Sequence, residues 1–271
     1  MDILDKIVAH KHKEVAARKG QVPVKILEQS LFFEKPVHRL SSHLLNPARC
    51  GLIAEFKKKS PSKSAINLEA DVVDVTTGYV AAGASALSVL TDEHFFGGHR
   101  HDLLEARLYN ACPILRKDFV VDEYQIIEAK SIGADAILLI AACLQAEQLH
   151  ALALTARRLD LEVLVELHDE IELDKLSPLA NVVGVNNRNL KTFEVSIDHS
   201  LAMFPKLPTE MVRISESGIS DPNAVVELRR RGYQGFLIGE NFMRSANPGQ
   251  SCADFIARVK HIESLLDGGI A

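Results

Sequence analysis

Eight times within 271 residues, a short apolar run is followed by a stretch with helical spacing. The strand-like runs lie at 51–56, 85–90, 113–117, 134–140, 161–166, 181–186, 211–215 and 234–238. Helical patterns follow them at about 69–82, 101–110, 123–132, 145–158, 169–176, 197–204, 221–231 and 251–267. Runs such as Ala136-Ile137-Leu138-Leu139-Ile140 are apolar at every position. That pattern suits strands buried on both faces, in a parallel sheet covered by helices. Gly83, Gly133 and Gly232 fall where helix C-caps are needed, and Ser220-Asp221-Pro222 reads as a helix start. Eight βα units in a chain of this length predict a closed (β/α)8, or TIM, barrel. The rival is an open doubly wound sheet, whose Gly-rich turn after the first strand is absent; Lys58-Lys59-Ser60-Pro61-Ser62 stands there instead.

Residues 1–45 precede the first strand. They hold a helix-patterned segment at about 2–19, with Ile3, Leu4, Ile7 and Val8 on its apolar stripe, and a second apolar stretch near 24–33. This is read as an N-terminal helical extension packed on the barrel, so residues 1–271 are expected to form one domain. With 47% apolar residues and a mean hydropathy near zero, the chain can bury a full core. A net charge of −5 gives no electrostatic footprint for nucleic acid or an anionic membrane. Neither a secretory signal nor an apolar span opens the chain, which points to the cytoplasm. Cys50, Cys112, Cys143 and Cys252 are far apart and are expected to be buried, reduced thiols.

In such a barrel the chemistry sits at the C-terminal ends of the strands. Strand one ends in Glu55, Lys57 and Lys59, which alternation would set on one face. The third ends in Arg116-Lys117-Asp118, the fifth at Glu166, the sixth at Asn186 with Arg188 after it, and the seventh at Glu216-Ser217-Gly218. The eighth ends in Gly239-Glu240-Asn241, and only the fourth, running into Ala141-Ala142, is bland. Lysines and a glutamate converging on one rim suit acid–base chemistry. A crowded or desolvated lysine is expected to have a lowered pKa, and Glu166, behind Val163-Leu164-Val165, a raised one. Lys117 is equally suited to a Schiff base with a ketone. Gly218 and Gly239 follow strands seven and eight, where backbone amides approach an anion closely. Lys57 and Ser60 complete that anion site from the other side. His94, His99 and His101 lie on a Gly-rich loop without an acidic partner at fixed spacing, so they read as surface histidines and no metal is expected.

Together these residues resemble the indole-3-glycerol-phosphate synthase family. The likeness rests on residues 53–62 (IAEFKKKSPS), 86–92 followed by Phe95-Phe96-Gly97, 115–119 (LRKDF), 184–190 (GVNNRNL), 215–220 (SESGIS) and 237–244 (LIGENFMR). It implies a lyase that closes an indole ring on 1-(2-carboxyphenylamino)-1-deoxyribulose 5-phosphate, with loss of CO2 and water and with no cofactor. By the same resemblance, Lys117 is the general acid and Lys57 the partner of the substrate carboxylate. Glu166 is the second acid–base residue, and Glu55, Asn186 and Ser217 hold these groups in place. Lys59, Ser60, Phe96, Arg188, Glu216, Gly218, Gly239 and Glu240 are expected to bind substrate or its phosphate. Ser64 departs from the family's usual glycine. The expected partner is a phosphorylated small molecule, with no nucleic acid and no membrane, and the enzyme is expected as a monomer or weak homodimer. Two other readings of the same residues stay open: a class I aldolase or isomerase acting on another sugar phosphate, and a non-catalytic phosphometabolite-binding barrel.

Overall fold

The computed structural model describes residues 3–189 and 194–268. Its sheet is a closed barrel of eight parallel strands in sequence order: β1 (Leu52–Phe56), β2 (Ala86–Leu90), β3 (Ile114–Lys117), β4 (Ala136–Ile140), β5 (Glu162–Leu167), β6 (Val182–Asn186), β7 (Val212–Glu216) and β8 (Gly235–Ile238). Closure is made by β1 against β8, with Leu52 opposite Phe236. Before the first strand come α1 (Ile3–Gln21), α2 (Val24–Leu27) and α3 (Leu40–Leu45). The outer ring is α4 (Val72–Ala81), α5 (Arg100–Tyr109), α6 (Glu123–Ser131), α7 (Ala146–Arg158), α8 (Asp198–Met203), α9 (Pro222–Arg231), a short α10 (Glu240–Met243) and α11 (Pro248–Gly268).

Strand alternation sorts the apolar residues into two cores. One face of each strand packs against the helices, for example Ala54, Leu87, Val165 and Phe236. The other fills the barrel with Ile53, Leu115, Leu138, Leu164, Ile214 and Leu237. That is why the strands read as continuous apolar runs. Leu40 and Leu44 of α3 join the interior core and are buried, so this helix plugs the end of the barrel remote from the strand C-termini.

Helix boundaries follow local chemistry. Asp122 caps α6 in a reciprocal box with Gln125, and Asp221 accepts from the Asn223 amide to open α9 behind Pro222. Gly232 closes α9 at a φ of 118°, a conformation that favours glycine. Five segments differ from the sequence expectation. Residues 169–176 form only a 3₁₀ turn, Glu170–Lys175, opened by Asp169, whose side chain accepts from the Ile171 amide. The last helix begins three residues early, with Pro248 in its first turn. Of the stretch near 24–33, only Val24–Leu27 is helical. Helices α3 and α10 were not anticipated, being too short to show a period. Cys112 and Cys252 are buried as expected, whereas Cys50 and Cys143 are half-buried. No helix among the described residues is long and apolar enough to cross a membrane.

Candidate active site

Five of the eight strands, β1, β3, β5, β6 and β7, carry their interior pattern one step past the apolar layer. Ile53, Leu115, Leu164 and Ile214 point into the barrel. Two residues later on the same face come Glu55, Lys117, Glu166 and Glu216. Asn186 follows Val182 and Gly184 on β6 in the same way. The result is a cavity of about 520 Å³ at the C-terminal end of the barrel, walled by these groups and by Lys57.

Lys117 Nζ donates to Glu166 Oε2 at 2.9 Å and lies 3.8 Å from Glu216 Oε2. The other Glu166 oxygen accepts from Asn186 Nδ2 at 3.1 Å and is 3.2 Å from His168 Nε2. Across the cavity, Lys57 Nζ is 2.9 Å from Glu55 Oε1, while Glu55 Oε2 accepts from Ser88 Oγ at 3.2 Å. The glycines beside these carboxylates are steric necessities. A Cβ on Gly184 would sit 2.1 Å from Glu216 Oε1, and one on Gly239 would sit 2.7 Å from Glu55 Oε1.

The electrostatics reverse the sequence expectation. Burial alone would push the Lys117 pKa down, but Glu166, and behind it Glu216 and Glu55, outweigh burial and hold the ammonium above its usual range. Burial would push Glu166 up, but Lys117 and then His168, with hydrogen bonds from Lys117 and Asn186, draw it down to about 2. The raised carboxyl is Glu216: burial, then the charge on Glu166, pushes it well above the ordinary carboxylate range. Neither of its oxygens has a hydrogen-bond partner among the described residues. Sequence order could name the groups but not which of them would touch.

Ser217 and Gly218 follow β7 with left-handed φ values of 67° and 71°. Asn187, part of the 184–190 motif but given no role there, steadies this turn by donating to the Ser217 carbonyl at 3.1 Å and to Ser215 Oγ at 2.9 Å. Gly218 and Gly239 both line the cavity, with Gly239 immediately before α10. The first amides of a helix have no intrahelical partner and point outward, as an anion site requires. Beside them the Glu240 carboxylate gathers cations: Lys63 at 2.5 Å, Arg188 at 3.8 Å, and Arg244. The Glu240 side chain thus assembles positive charge beside this turn.

Ser60, Phe96, Arg188 and Ser217 also line the cavity, and the Phe96 ring lies 5.7 Å, centroid to centroid, from that of Phe119. Lys59 is not brought to the cavity wall. Strand β1 ends at Phe56, alternation stops there, and the Lys59 ammonium donates to the His94 carbonyl at 2.9 Å while its stem packs on Gly97. It braces the loops after β1 and β2 against each other. Lys63, Phe119, His168 and Arg244 were not singled out from the sequence. Phe119 and Arg244 end motifs already noted there; for His168, only its position two after Glu166 gave a signal. Leu190, the last residue of one of the motifs, lies outside the described residues. No group of three or more His, Cys, Asp or Glu side chains among the described residues is arranged to hold a metal ion.

A family profile described as indole-3-glycerol phosphate synthase matches residues 4–255. The chain is 45% identical over 259 residues to the indole-3-glycerol phosphate synthase of Bacteroides thetaiotaomicron, covering 96% of this chain and 99% of the relative. It is 44% identical over 257 residues to the enzyme of that name from Polaromonas, covering 93% and 97%. Among solved structures it resembles 3-hexulose-6-phosphate synthase from Salmonella typhimurium, with a TM-score of 0.60 at 12% identity over 78% of this chain and 100% of that one. A chain from the tryptophan synthase a2b2 complex of Pyrococcus furiosus gives 0.58 at 13% identity over 78% and 98%. Those two likenesses concern the barrel alone.

Proposed function

The chain belongs to the indole-3-glycerol phosphate synthase family, and from that premise we propose how its side chains divide the reaction. The protein is a carbon–carbon lyase of tryptophan biosynthesis. It converts 1-(2-carboxyphenylamino)-1-deoxyribulose 5-phosphate to indole-3-glycerol phosphate with loss of CO2 and water. The observation that carries the residue assignment is the contact of Lys117 with Glu166 at 2.9 Å, facing the Lys57–Glu55 pair in one cavity.

Lys117, held as an ammonium by its carboxylate neighbours, donates its proton to the ribulose carbonyl oxygen as the carboxyl-bearing ring carbon attacks. Lys57 meets the substrate carboxylate, which leaves as CO2 and returns its bonding pair to the ring. Glu55 holds Lys57 so that this attraction does not outweigh the gain at the transition state. The new hydroxyl then departs as water, with a proton from Lys57, while Glu166 accepts one from the neighbouring ring carbon. The two steps are coupled. Once Lys117 has given up its proton, Glu166 loses its counter-charge, and its own proton affinity rises. Asn186 fixes Glu166, Glu216 and Ser217 bind hydroxyls, and the aryl ring rests against Phe96 and Phe119. The phosphate is received by the amides at Gly218 and Glu240, with Ser60, Lys63, Arg188 and Arg244 around it.

A class I aldolase needs a neutral amine, and the direction of the Lys117 shift argues against one at rest. We take residues 1–271 to work as one unit in the cytoplasm, as a monomer or weak dimer. The test is to follow indoleglycerol phosphate fluorescence from the carboxyphenylamino substrate, beside a borohydride trapping run. Turnover without a trapped adduct is expected. A stable adduct on Lys117, with no indole formed, would overturn the assignment.

A further inference from the structure

One lysine outside the barrel strands, on α1, is fully buried. Leu4, Ile7, Lys11 and Val15 follow one another at spacings of three and four along α1, so they share the face turned to the barrel. Ile7 and Val15 are apolar and buried; Lys11, between them, has no exposed surface. Its Nζ lies 2.9 Å from Asp92 Oδ2 and 3.0 Å from Asp118 Oδ1, and it donates to both Glu14 oxygens at 3.0 Å. Burial opposes the charge, but Asp118, then Asp92 and Glu14, more than offset it, so the ammonium persists.

What those two aspartates hold is the aromatic end of the cavity. Asp92 Oδ1 accepts from the amides of Phe95 at 2.7 Å and Phe96 at 3.1 Å. Asp118 Oδ1 accepts from the Phe119 amide at 2.8 Å. Phe96 comes from the loop after β2 and Phe119 from the end of β3, and the two rings meet at 5.7 Å. Meanwhile Ile3, Leu4 and Ile7, one to two turns before Lys11, line the same cavity. Asp118 has a second cation in Arg116, at 3.3 Å from Oδ2, and a hydrogen bond from Thr91. Among the described residues, the ion pairs of Asp92 run to Lys11 alone.

We propose that Lys11 is a positioning residue for the aryl-binding end of the site, tying Asp92 to Asp118 and thereby setting Phe96, Phe119 and the apolar face of α1 relative to one another. This rests on the reading of Phe96 and Phe119 as the wall that receives the substrate's aryl ring. An ion pair that merely glued α1 to the barrel would affect every ligand alike; a positioning pair affects only ligands with an aromatic end.

The experiment is calorimetric titration of wild type and Lys11→Met with two probes, indole-3-glycerol phosphate and glycerol 3-phosphate. Lys11→Met is expected to weaken the first by about tenfold or more and the second by less than about twofold. Equal weakening of both, or of neither, would overturn the proposal. Should Lys11→Met not fold, Asp92→Asn carries the same comparison, since it keeps the amide acceptor but loses the pairing with Lys11, and the same split is expected. The underlying site reading fails separately: it is wrong if Phe96→Ala binds indole-3-glycerol phosphate as tightly as wild type.

Discussion

Two buried charge clusters lie back to back across β3, and they are built to opposite ends. Arg116 and Asp118 point away from the barrel axis into a network with Lys11, Arg18, Asp92 and Glu128, while Lys117 between them points inward to Glu166 and Glu216. In the rear cluster each oxygen of Asp92, Asp118 and Glu128 has a donor or cation within 3.3 Å. In the cavity cluster Glu216 has no cation that close, its nearest ammonium being 3.8 Å away. A buried network that is fully paired is a fastener; one left incomplete in a cavity is waiting for a ligand. The lesson is that burial and charge alone do not distinguish a structural from a reactive site, but unfinished pairing does.

The comparison breaks most sharply at Lys117. Lys117→Met should cut turnover by about 10³-fold while leaving ligand affinity within about tenfold, because a transition-state interaction is lost; fluorescence kinetics and product titration read both. Disrupting the rear cluster should do the reverse. Lys11→Met strands Asp92 and is expected to cost about 3–5 kcal/mol in urea unfolding, with kcat less affected than KM. The same helix offers a control: Lys19 sits 2.7 Å from Asp122, closer than any Lys11 pair, yet Lys19 is exposed and Asp122 only half-buried. Lys19→Ala should cost no more than about 1 kcal/mol.

Acid stability sharpens the contrast further. The Glu166 pKa is depressed in the folded protein to about 2 from an ordinary 4.5. Its contribution is therefore present above 4.5 and lost as pH falls toward 2. Glu166→Gln should flatten the fall in urea midpoint across that window. Glu216 is shifted the other way, so its contribution is full below 4.5 and fades as pH rises; Glu216→Gln should leave a smaller change, confined to higher pH.

Much of this was legible in the sequence. Continuous apolar runs gave the parallel strands, and period-two alternation carried Glu55, Lys117, Glu166 and Glu216 onto the interior face above Ile53, Leu115, Leu164 and Ile214. Lys59 lies off the cavity wall because alternation holds only inside a strand, and β1 stops at Phe56. The direction of the pKa shifts was misread. Apolar neighbours in sequence said that Glu166 was buried, whereas its charge is fixed by Lys117, 49 residues away. Lys11 left a trace that went unused: extending the stripe of Ile3, Leu4 and Ile7 by one turn puts a cation in the middle of an apolar face.

The central claim is that the cavity cluster drives the pKa values of its carboxyl groups apart beside the same ammonium, with Glu166 drawn below the ordinary carboxylate range and Glu216 pushed above it. Carbon-13 NMR titration of the glutamate carboxyls in the ligand-free protein tests it directly. The prediction is one resonance assigned to Glu166 that stays ionised to near pH 2 and another, from Glu216, that titrates above 4.5. Glu216 titrating at or below 4.5, with Glu166 above it, would contradict the account.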